Sequence, residues 1–200
     1  MPPEPRSYVS AKRDAASAEK RQQVITAAAR LLDNGPAMVS MEAVAKAAGV
    51  TRLTVYKQFG SRRGLLEAVF DDTARRGGVI RMGEAMHNPD ARAGIDQAID
   101  ILCEFWGSHP AFAKLHDAAA IDPEFAEAIA TRNERRRLIF NALLQRLPGS
   151  EAARTECGDL IFGLTSMAMF QTLGATRSPA QIAATLKSAI GGILIAHGLG

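Results

Sequence analysis

The chain has 200 residues and a formal net charge of +3, which suffices for one ordinary domain or for a small and a medium one. Its 36 alanines, against 2 tyrosines and 1 tryptophan, favour helix throughout and argue against a β-rich fold. Residues 1–64 carry 11 Lys and Arg against 5 Asp and Glu, a net +6, whereas residues 65–200 carry 13 against 16, a net −3. This asymmetry predicts that only the first third meets a polyanion, with nucleic acid favoured over an anionic membrane.

The cysteine content and the N-terminal sequence favour the cytoplasm. Cys103 and Cys157 are too few for a disulfide framework, and the first residues contain no apolar stretch typical of a signal peptide. The longest uncharged run, residues 160–176, is just short of a membrane span and is interrupted by glycine and hydroxyl side chains. A buried or interface helix is the favoured interpretation of that run.

The first residues have the composition of a flexible arm. Residues 1–17 hold three of the nine prolines and show no hydrophobic period. Apolar residues at helical spacing then predict a helix that ends at residues 34–36, where the sequence is Asn-Gly-Pro. We expect a small DNA-binding domain to occupy residues 18–64.

Two short helices follow around a tight corner. Ser40 is a good N-cap for a helix that ends at Gly49, and Thr51 is a good N-cap for the next one. The inward positions of the second short helix are predicted to be Val55, Tyr56 and Phe59. Two short helices joined by such a corner predict a helix-turn-helix, in which the second helix enters the major groove of DNA.

A larger helical domain is predicted over residues 65–200. A fourth helix begins at Arg62, and the pair Gly77-Gly78 marks either its end or a soft joint in it. If the pair is a joint, we expect it to be the pivot of a ligand response. Further helices are predicted at about 91–107, from Pro110, from 122–124 to 148–149, at 150–173 and at 178–197, which makes an all-α protein.

The outward face of the second short helix carries the side chains suited to reading DNA. Arg52 and Lys57 match the acceptors of guanine, and Leu53 matches the methyl group of thymine. Thr54 can serve a base or a phosphate, and the hydroxyl of Tyr56 can reach a phosphate while its ring packs at the edge of the bundle. A plain core tyrosine is the alternative for Tyr56.

Two arginines open the fourth helix, where positive charge is unfavourable. Arg62 and Arg63 lie in its first turn, and the helix dipole opposes cations there by about 0.3–1 kcal/mol each. A helix N-terminus binds anions, so we expect these arginines to clamp a phosphate; two solvated arginines are the alternative. The expected DNA contacts are Ser40, Thr51, Arg52, Leu53, Thr54, Tyr56, Lys57, Arg62 and Arg63.

Residues 20–66, and especially MEAVAKAAGVTRLTVYKQFGSRRGLLEAVF over residues 41–70, resemble the DNA-binding domain of TetR-type transcriptional regulators. The resemblance implies an all-helical homodimer with about nine helices per chain, a divergent ligand-binding domain and, usually, repression of nearby genes. Two positions depart from the family pattern. Arg63 stands where an acidic residue is common and Gln58 where histidine is common, so the operator sequence stays undetermined.

The last two predicted helices are expected to form the homodimer interface. Both are apolar around most of their circumference, which is unusual for a helix with one wet face. Together with the family resemblance, this predicts a four-helix interface between two chains; an intrachain core is the alternative. The residues concerned are Ile161, Phe162, Leu164, Met167, Met169, Phe170, Ile182, Leu186, Ile190, Ile193 and Leu194.

A ligand pocket is predicted around the break between helices near residue 110. Apolar and aromatic walls with a few polar groups are typical of small-molecule sites, although aromatic residues at helical spacing are more often core. The candidate lining residues are Cys103, Trp106, His109, Phe112, His116, Met167 and Phe170. We expect an unidentified small-molecule effector and neither a cofactor nor a metal.

Two other functional classes stay open. An enzyme is disfavoured because the four histidines form no i, i+4 pair and neither a nucleophile elbow nor a P-loop occurs. A ligand-independent DNA-binding protein is the other alternative. It differs from a ligand-responsive regulator because no small molecule changes its affinity for the operator. A redox switch at Cys103 and Cys157 is conceivable, but cysteines in apolar helices are usually inert.

Overall fold

The computed structural model describes the backbone of residues 6–109 and 111–200, and within this part the chain is all-α without a strand. Two 3-10 helices occur at Pro36–Met38 and Val79–Arg81. The described α-helices are α1 (Arg6–Leu32), α2 (Met41–Ala47), α3 (Arg52–Phe59), α4 (Arg62–Arg76), α5 (Met82–Met86), α6 (Ala91–Ser108), α7 (Ala111–Ile121), α8 (Pro123–Leu144), α9 (Glu151–Leu164), α10 (Met167–Gly174) and α11 (Pro179–Ala196).

The chain forms two compact units. The first, here called the helix-turn-helix unit, consists of residues 1–72 and 114–125, and the second consists of residues 73–113 and 126–200. The sequence-based division between residues 64 and 65 therefore differs from the observed one. Residues 114–125 belong with the helix-turn-helix because side chains at the start of α4 bond to the corner between α7 and α8, a contact with no sequence signal.

The core of the helix-turn-helix unit follows the predicted helical spacing. Val24, Leu32, Val44 and Val55 are fully buried, as are Leu65 and Leu66 at the start of α4. Full burial of one such side chain contributes about 1.5–3 kcal/mol to folding. Helices α2 and α3, which are too short to be stable alone, are therefore stabilised by this shared core.

The structure corrects the prediction of a flexible arm. Helix α1 already begins at Arg6, inside the segment 1–17, while residues 1–5 lie outside the described part of the chain. After Pro5 the sequence contains no further proline until residue 36 and is rich in Ala, Lys and Arg, which are strong helix formers. Helix propensity therefore prevails although the first turns have no regular apolar stripe.

Gly77 and Gly78 end a helix rather than bend one. Helix α4 stops at Arg76, and Gly78 has a φ of 72°, in the left-handed region that favours glycine. A Cβ on Gly77 would lie 2.2 Å from Cδ2 of Phe105, so this backbone lies directly against an aromatic ring of α6. Of the two alternatives that the sequence left open, the helix end is observed.

The second unit is built around α6 and α11. Ile95, Ile99 and Leu102 of α6 are buried, and α11 packs along this helix. By length and composition α11 is apolar enough to cross a membrane. One of its faces is buried in the unit, as expected for a core helix. The buried face of α11 contains Ile182, Ala183, Leu186, Ile190 and Leu194.

The predicted helix 150–173 is two helices. Helix α9 ends at Leu164, the buried hydroxyl of Thr165 donates to the carbonyl of Ile161 at 2.7 Å, and the Oγ of Ser166 accepts from the N–H of Met169 at 3.2 Å. Ser166 thus caps α10. This break and the separate α5 explain why the described chain has eleven α-helices where about nine were expected. Pro110, the predicted start of α7, lies outside the described residues.

Candidate nucleic-acid interface

The helix-turn-helix is held by the two predicted caps and one glycine. The Oγ of Ser40 accepts from the N–H of Ala43 at 3.1 Å, and the Oγ1 of Thr51 accepts from the N–H of Thr54 at 3.1 Å. Gly49 has a φ of 65°, a left-handed conformation that a side chain disfavours. These three residues set the corner between α2 and α3, so Ser40 and Thr51 have structural roles whether or not they also contact DNA.

Helix α3 buries one face and exposes the other. Val55 is fully buried and Phe59 nearly so, whereas Leu53 is 62% exposed. Arg52 and Lys57 are also exposed, and Thr54 is half-buried. The exposed side therefore presents two cations and an apolar side chain, which is the combination predicted to read base edges.

Tyr56 lies at the edge of α3 and is coupled to Arg52. Its side chain is 39% exposed, not inward as the spacing indicated, and its hydroxyl accepts from the Nη2 of Arg52 at 3.3 Å. The Arg52 guanidinium also lies 5.3 Å from the centre of the Tyr56 ring. This hydrogen bond raises the pKa of Arg52 above its usual value. The two side chains thus form one polar cluster on the face of α3.

The guanidinium of Arg62 is hydrogen-bonded within the protein, which the sequence did not indicate. Its Nε donates to the carbonyl of Val39 at 2.8 Å, its Nη2 to the carbonyl of Pro36 at 3.0 Å, and its Nη1 to Asp122 at 3.0 Å. The Oδ1 of Asp122 in turn accepts from the N–H of Phe125, which caps α8. Because three of its five N–H donors are engaged inside the protein, we propose that Arg62 positions the loop before α2, and the phosphate contact stays an untested prediction.

Arg63 is also paired with carboxylates. Its Nε lies 2.8 Å from Glu67, and its Nη1 lies 3.8 Å from Glu124. Its side chain is 37% exposed. The unfavourable positive charge in the first turn of α4 is therefore offset by two acidic neighbours. These carboxylates also reduce the attraction that Arg63 would exert on a phosphate.

Arg21 of α1 contacts the C-terminal end of α3, and no sequence pattern predicted this contact. Its Nη1 donates to the carbonyl of Gln58 at 3.1 Å, and its guanidinium lies 4.4 Å from the centre of the Phe59 ring. A cation at the C-terminal end of a helix is stabilising. Arg21 therefore positions the helix that carries the candidate reading residues.

The candidate ligand residues are divided between the two units. His116 belongs to the helix-turn-helix unit, whereas the other six belong to the second unit. Trp106 and Phe170 are in ring contact at 5.6 Å, and Phe112 contacts the ring of Phe105 at 4.7 Å. His109 is half-buried with its Nδ1 3.0 Å from the carbonyl of Phe105. The remaining candidates, Cys103 and Met167, are buried.

Cys103 is the candidate that borders an open groove. The groove has a volume of about 390 Å³ and also touches Gly107, Ser108 and Pro179. Burial raises the pKa of the Cys103 thiol to about 12, with the negative charge of Asp100 adding to the effect. A thiol with so high a pKa is a poor nucleophile. In the described residues no group of three or more His, Cys, Asp and Glu side chains is placed to hold a metal ion.

The apolar residues of α9–α11 are mostly core within one chain. Ile161, Met167, Ile182, Leu186, Ile190 and Leu194 are buried without a second copy. Leu160 and Ile195 remain 41% and 72% exposed. The single chain therefore accounts for about half of the predicted interface, as the alternative of an intrachain core anticipated, and two large side chains outside the predicted set stay exposed.

The fold and this surface define an all-helical helix-turn-helix protein with a second helical unit. Residues 24–69 match the family described as bacterial regulatory proteins, tetR family. The match covers less than a quarter of the chain and spans α2, α3 and the first half of α4.

Other known proteins are similar to part of the sequence or to the fold of the chain. Over 113 residues the chain is 35% identical to the HTH-type transcriptional regulator EthR of Mycolicibacterium smegmatis, a match that covers 54% of this chain and 52% of that protein. The chain thus matches about half the length of that relative. The fold is similar to that of a TetR-like transcriptional regulator from Rhodococcus sp. RHA1, with a TM-score of 0.67, 20% identity and coverage of 86% and 93% of the two chains. It is also similar to NalD of Pseudomonas aeruginosa, described as the secondary repressor of the MexAB-OprM multidrug efflux pump, with a TM-score of 0.61, 18% identity and coverage of 87% and 96%.

Proposed function

We propose that the chain is a cytoplasmic, ligand-responsive transcriptional repressor that binds a palindromic DNA operator as a homodimer. The observation that carries the proposal is the exposed face of α3, which presents Arg52, Leu53 and Lys57 while Val55 anchors the opposite side in the core. An arginine and a lysine beside an apolar side chain match guanine acceptors and a thymine methyl group in the major groove.

Pairing two copies gives this short reading helix enough affinity. One helix-turn-helix makes few contacts, whereas a symmetric dimer adds the energies of two half-sites spaced by about one turn of DNA. Leu160 and Ile195 provide exposed apolar area on α9 and α11 for such an interface. The palindromic operator follows from the two-fold symmetry of the pair.

A small molecule releases DNA when it prefers a conformer with wrongly spaced reading helices. Bound DNA must then lower the affinity of the protein for the ligand by the same factor, because the coupling free energy is reciprocal. The pivot predicted at Gly77-Gly78 becomes, in this proposal, the ordered turn between α4 and α5. The candidate effector contacts are those in the second unit, with Trp106 and Phe170 in mutual contact.

Selection of bound duplexes from a random pool tests the proposal. We expect enrichment of an inverted repeat, loss of that enrichment in the double variant R52A/K57A, and no loss in K114A, a control at a lysine distant in sequence from α3. Recovery of no preferred sequence would contradict operator binding. Repeating the selection with added metabolites separates a regulator from a ligand-independent DNA-binding protein, because only the regulator loses duplexes when its effector is present.

A further inference from the structure

A buried arginine lies among aromatic rings in the second unit. Arg136 of α8 is 9% exposed, so its side chain is more than nine-tenths buried. Its guanidinium carbon lies 4.5 Å from the centre of the Phe162 ring and 5.8 Å from the centre of the Trp106 ring. The Trp106 ring in turn lies 5.6 Å from the Phe170 ring. Rings from α6 and α9 thus lie beside one cation, and a ring from α10 lies against the first of them.

The charge of Arg136 is not neutralised by the protein. Its Nη2 donates to the carbonyl of Phe162 at 3.2 Å, but its buried Nε has no hydrogen-bond partner among the described protein atoms. Burial and the neighbouring Arg137 lower the pKa of Arg136 to about 10, and Glu134 opposes this only in part. The guanidinium is still charged at neutral pH. A buried, charged and incompletely bonded group lowers the stability of the fold, so its presence calls for a functional explanation.

The adjacent residue shows that carboxylates are within reach of this part of α8. The guanidinium carbon of Arg137 lies 4.0 Å from the centre of the same Phe162 ring, and Arg137 also pairs with Glu134 at 3.1 Å and with Asp159. Contact with the ring therefore does not require an unpaired cation. Of two successive arginines on one ring, the half-buried one has two carboxylate partners and the buried one has none among the described residues.

We propose that Arg136 binds the carboxylate group of a small apolar ligand, whose hydrocarbon part packs on Trp106, Phe162 and Phe170. This rests on the proposed function, since it assigns the chemical class of the effector. The free Nε–H and a neighbouring Nη–H of a guanidinium form the parallel pair of donors that a carboxylate accepts. A single buried arginine in aromatic surroundings suits a monoanion with an apolar body better than a phosphate, which needs more donors.

The same geometry provides a response to the ligand. Because protein atoms cover the Nε of Arg136, a carboxylate reaches it only in a conformer in which neighbouring rings have moved. Phe170 is half-buried on the short helix α10 and packs on Trp106, one of the two rings beside Arg136. A ligand that binds this conformer shifts the population of the second unit toward it.

Matched acid and amide pairs test the proposal. The probes are phenylacetate with phenylacetamide and hexanoate with hexanamide, and binding is followed by calorimetry and by fluorescence of Trp106, the only tryptophan in the chain. We expect at least one of the two acids to bind and to change the fluorescence, and its amide to bind at least about tenfold more weakly, because the amide lacks the charge-assisted pair. Equal affinity of acid and amide, or binding of neither acid, would overturn the proposal.

Variants at the two arginines separate a binding role from a structural one. R136M is expected to lose acid binding at least about tenfold while unfolding at the same or a higher temperature, because an uncompensated buried charge has been replaced by an apolar side chain. R137M removes a cation from the same ring and is expected to keep acid binding. R136K keeps the charge without the paired donors and is expected to bind the acid more weakly than the wild type. A marked loss of thermal stability or of the dimer in both R136M and R136K would show a structural cation and overturn the proposal.

Failure here is distinguishable from failure of the proposed function. Acid binding that depends on Arg136 but leaves operator binding unchanged would support this site and contradict the ligand response. Release of the operator by neutral compounds, unaffected by R136M, would support the ligand response and overturn the carboxylate assignment.

Discussion

Arg62 shows that the chemistry of a side chain does not determine its role. An arginine in the first turn of α4 suggests a phosphate contact, yet its guanidinium bonds to two carbonyls before α2 and to Asp122. Those acceptors come from residues 23 to 60 positions away in the chain. Local sequence patterns carry no information on such distant partners, whereas the exposure of Arg52 and Lys57 followed directly from the helical period of α3.

Replacing Arg62 is expected to affect folding more than DNA binding. R62M removes three charge-assisted hydrogen bonds and should lower the free energy of unfolding by about 2 kcal/mol, measured by urea denaturation. The slope of log affinity against log salt should stay unchanged. K57M is the control: it should keep stability and reduce that slope by about 0.9 if Lys57 neutralises one phosphate. Unchanged stability of R62M together with a reduced salt slope would instead support a phosphate contact at Arg62.

Cys103 is expected to resist alkylation. Its pKa of about 12 lies above that of a free thiol, so at pH 9 only about one Cys103 thiol in a thousand is ionised. Its reaction rate with iodoacetamide should keep rising about tenfold per pH unit beyond pH 9, whereas a free thiol levels off there. Mass spectrometry of the modified protein measures both. A plateau near pH 8.5 in the folded protein would revive the redox switch.

At the scale of the elements, glycines and caps decide where helices end. Ser40 and Thr51 could be assigned as caps because their hydrogen bonds join residues three positions apart. The break at Thr165-Ser166 was not predicted, because an uncharged apolar run is compatible with one helix or two. Ser166 caps α10 with the same three-residue spacing, so a local signal was present within that run.

Substituting the glycines around α5 should have opposite effects. G77A places a Cβ 2.2 Å from the Phe105 ring and should destabilise the protein by about 1–3 kcal/mol, as overpacking does. G83A lies in α5 with no atom within 4 Å and should stabilise it by up to about 1 kcal/mol, because alanine is the better helix former. Chemical denaturation of both variants measures the difference. A neutral G77A would mean that this turn yields easily and would favour the pivot.

Replacing both glycines with alanine is therefore a poor test of a pivot, because the clash at residue 77 would by itself disturb the turn. The left-handed φ of Gly78 provides a milder change. G78A should cost about 1 kcal/mol through backbone strain alone. Altered ligand response at unchanged operator affinity in G78A would support movement at the turn, and an unchanged response would discard it.

At the scale of the molecule, the proposed homodimer needs exposed apolar area on the last helices. Six residues of the predicted interface are buried in a single chain, and the exposed large apolar side chains on α9 and α11 are Leu160 and Ile195. We therefore propose these two residues as interface candidates.

Charged substitutions at those two residues should separate the copies. L160K and I195K are expected to shift the protein toward the monomer and to weaken operator binding, because a single half-site contributes only part of the energy. I80K is the control, since Ile80 is 81% exposed and lies outside α9–α11. Analytical ultracentrifugation measures the association. Dimers of normal affinity in both interface variants would place the contact elsewhere.

The sequence by itself determined the helical class, the helix-turn-helix, its caps and the outward face of α3. All of these depend on spacings of three to four residues, which one helix imposes regardless of its surroundings. Only the tertiary structure decided the roles of Arg62 and Arg63, the ordered turn at Gly77-Gly78, the division of the chain into units and the isolation of Arg136. Each of these depends on which distant side chains lie within a few ångströms, and local periodicity places no constraint on that distance.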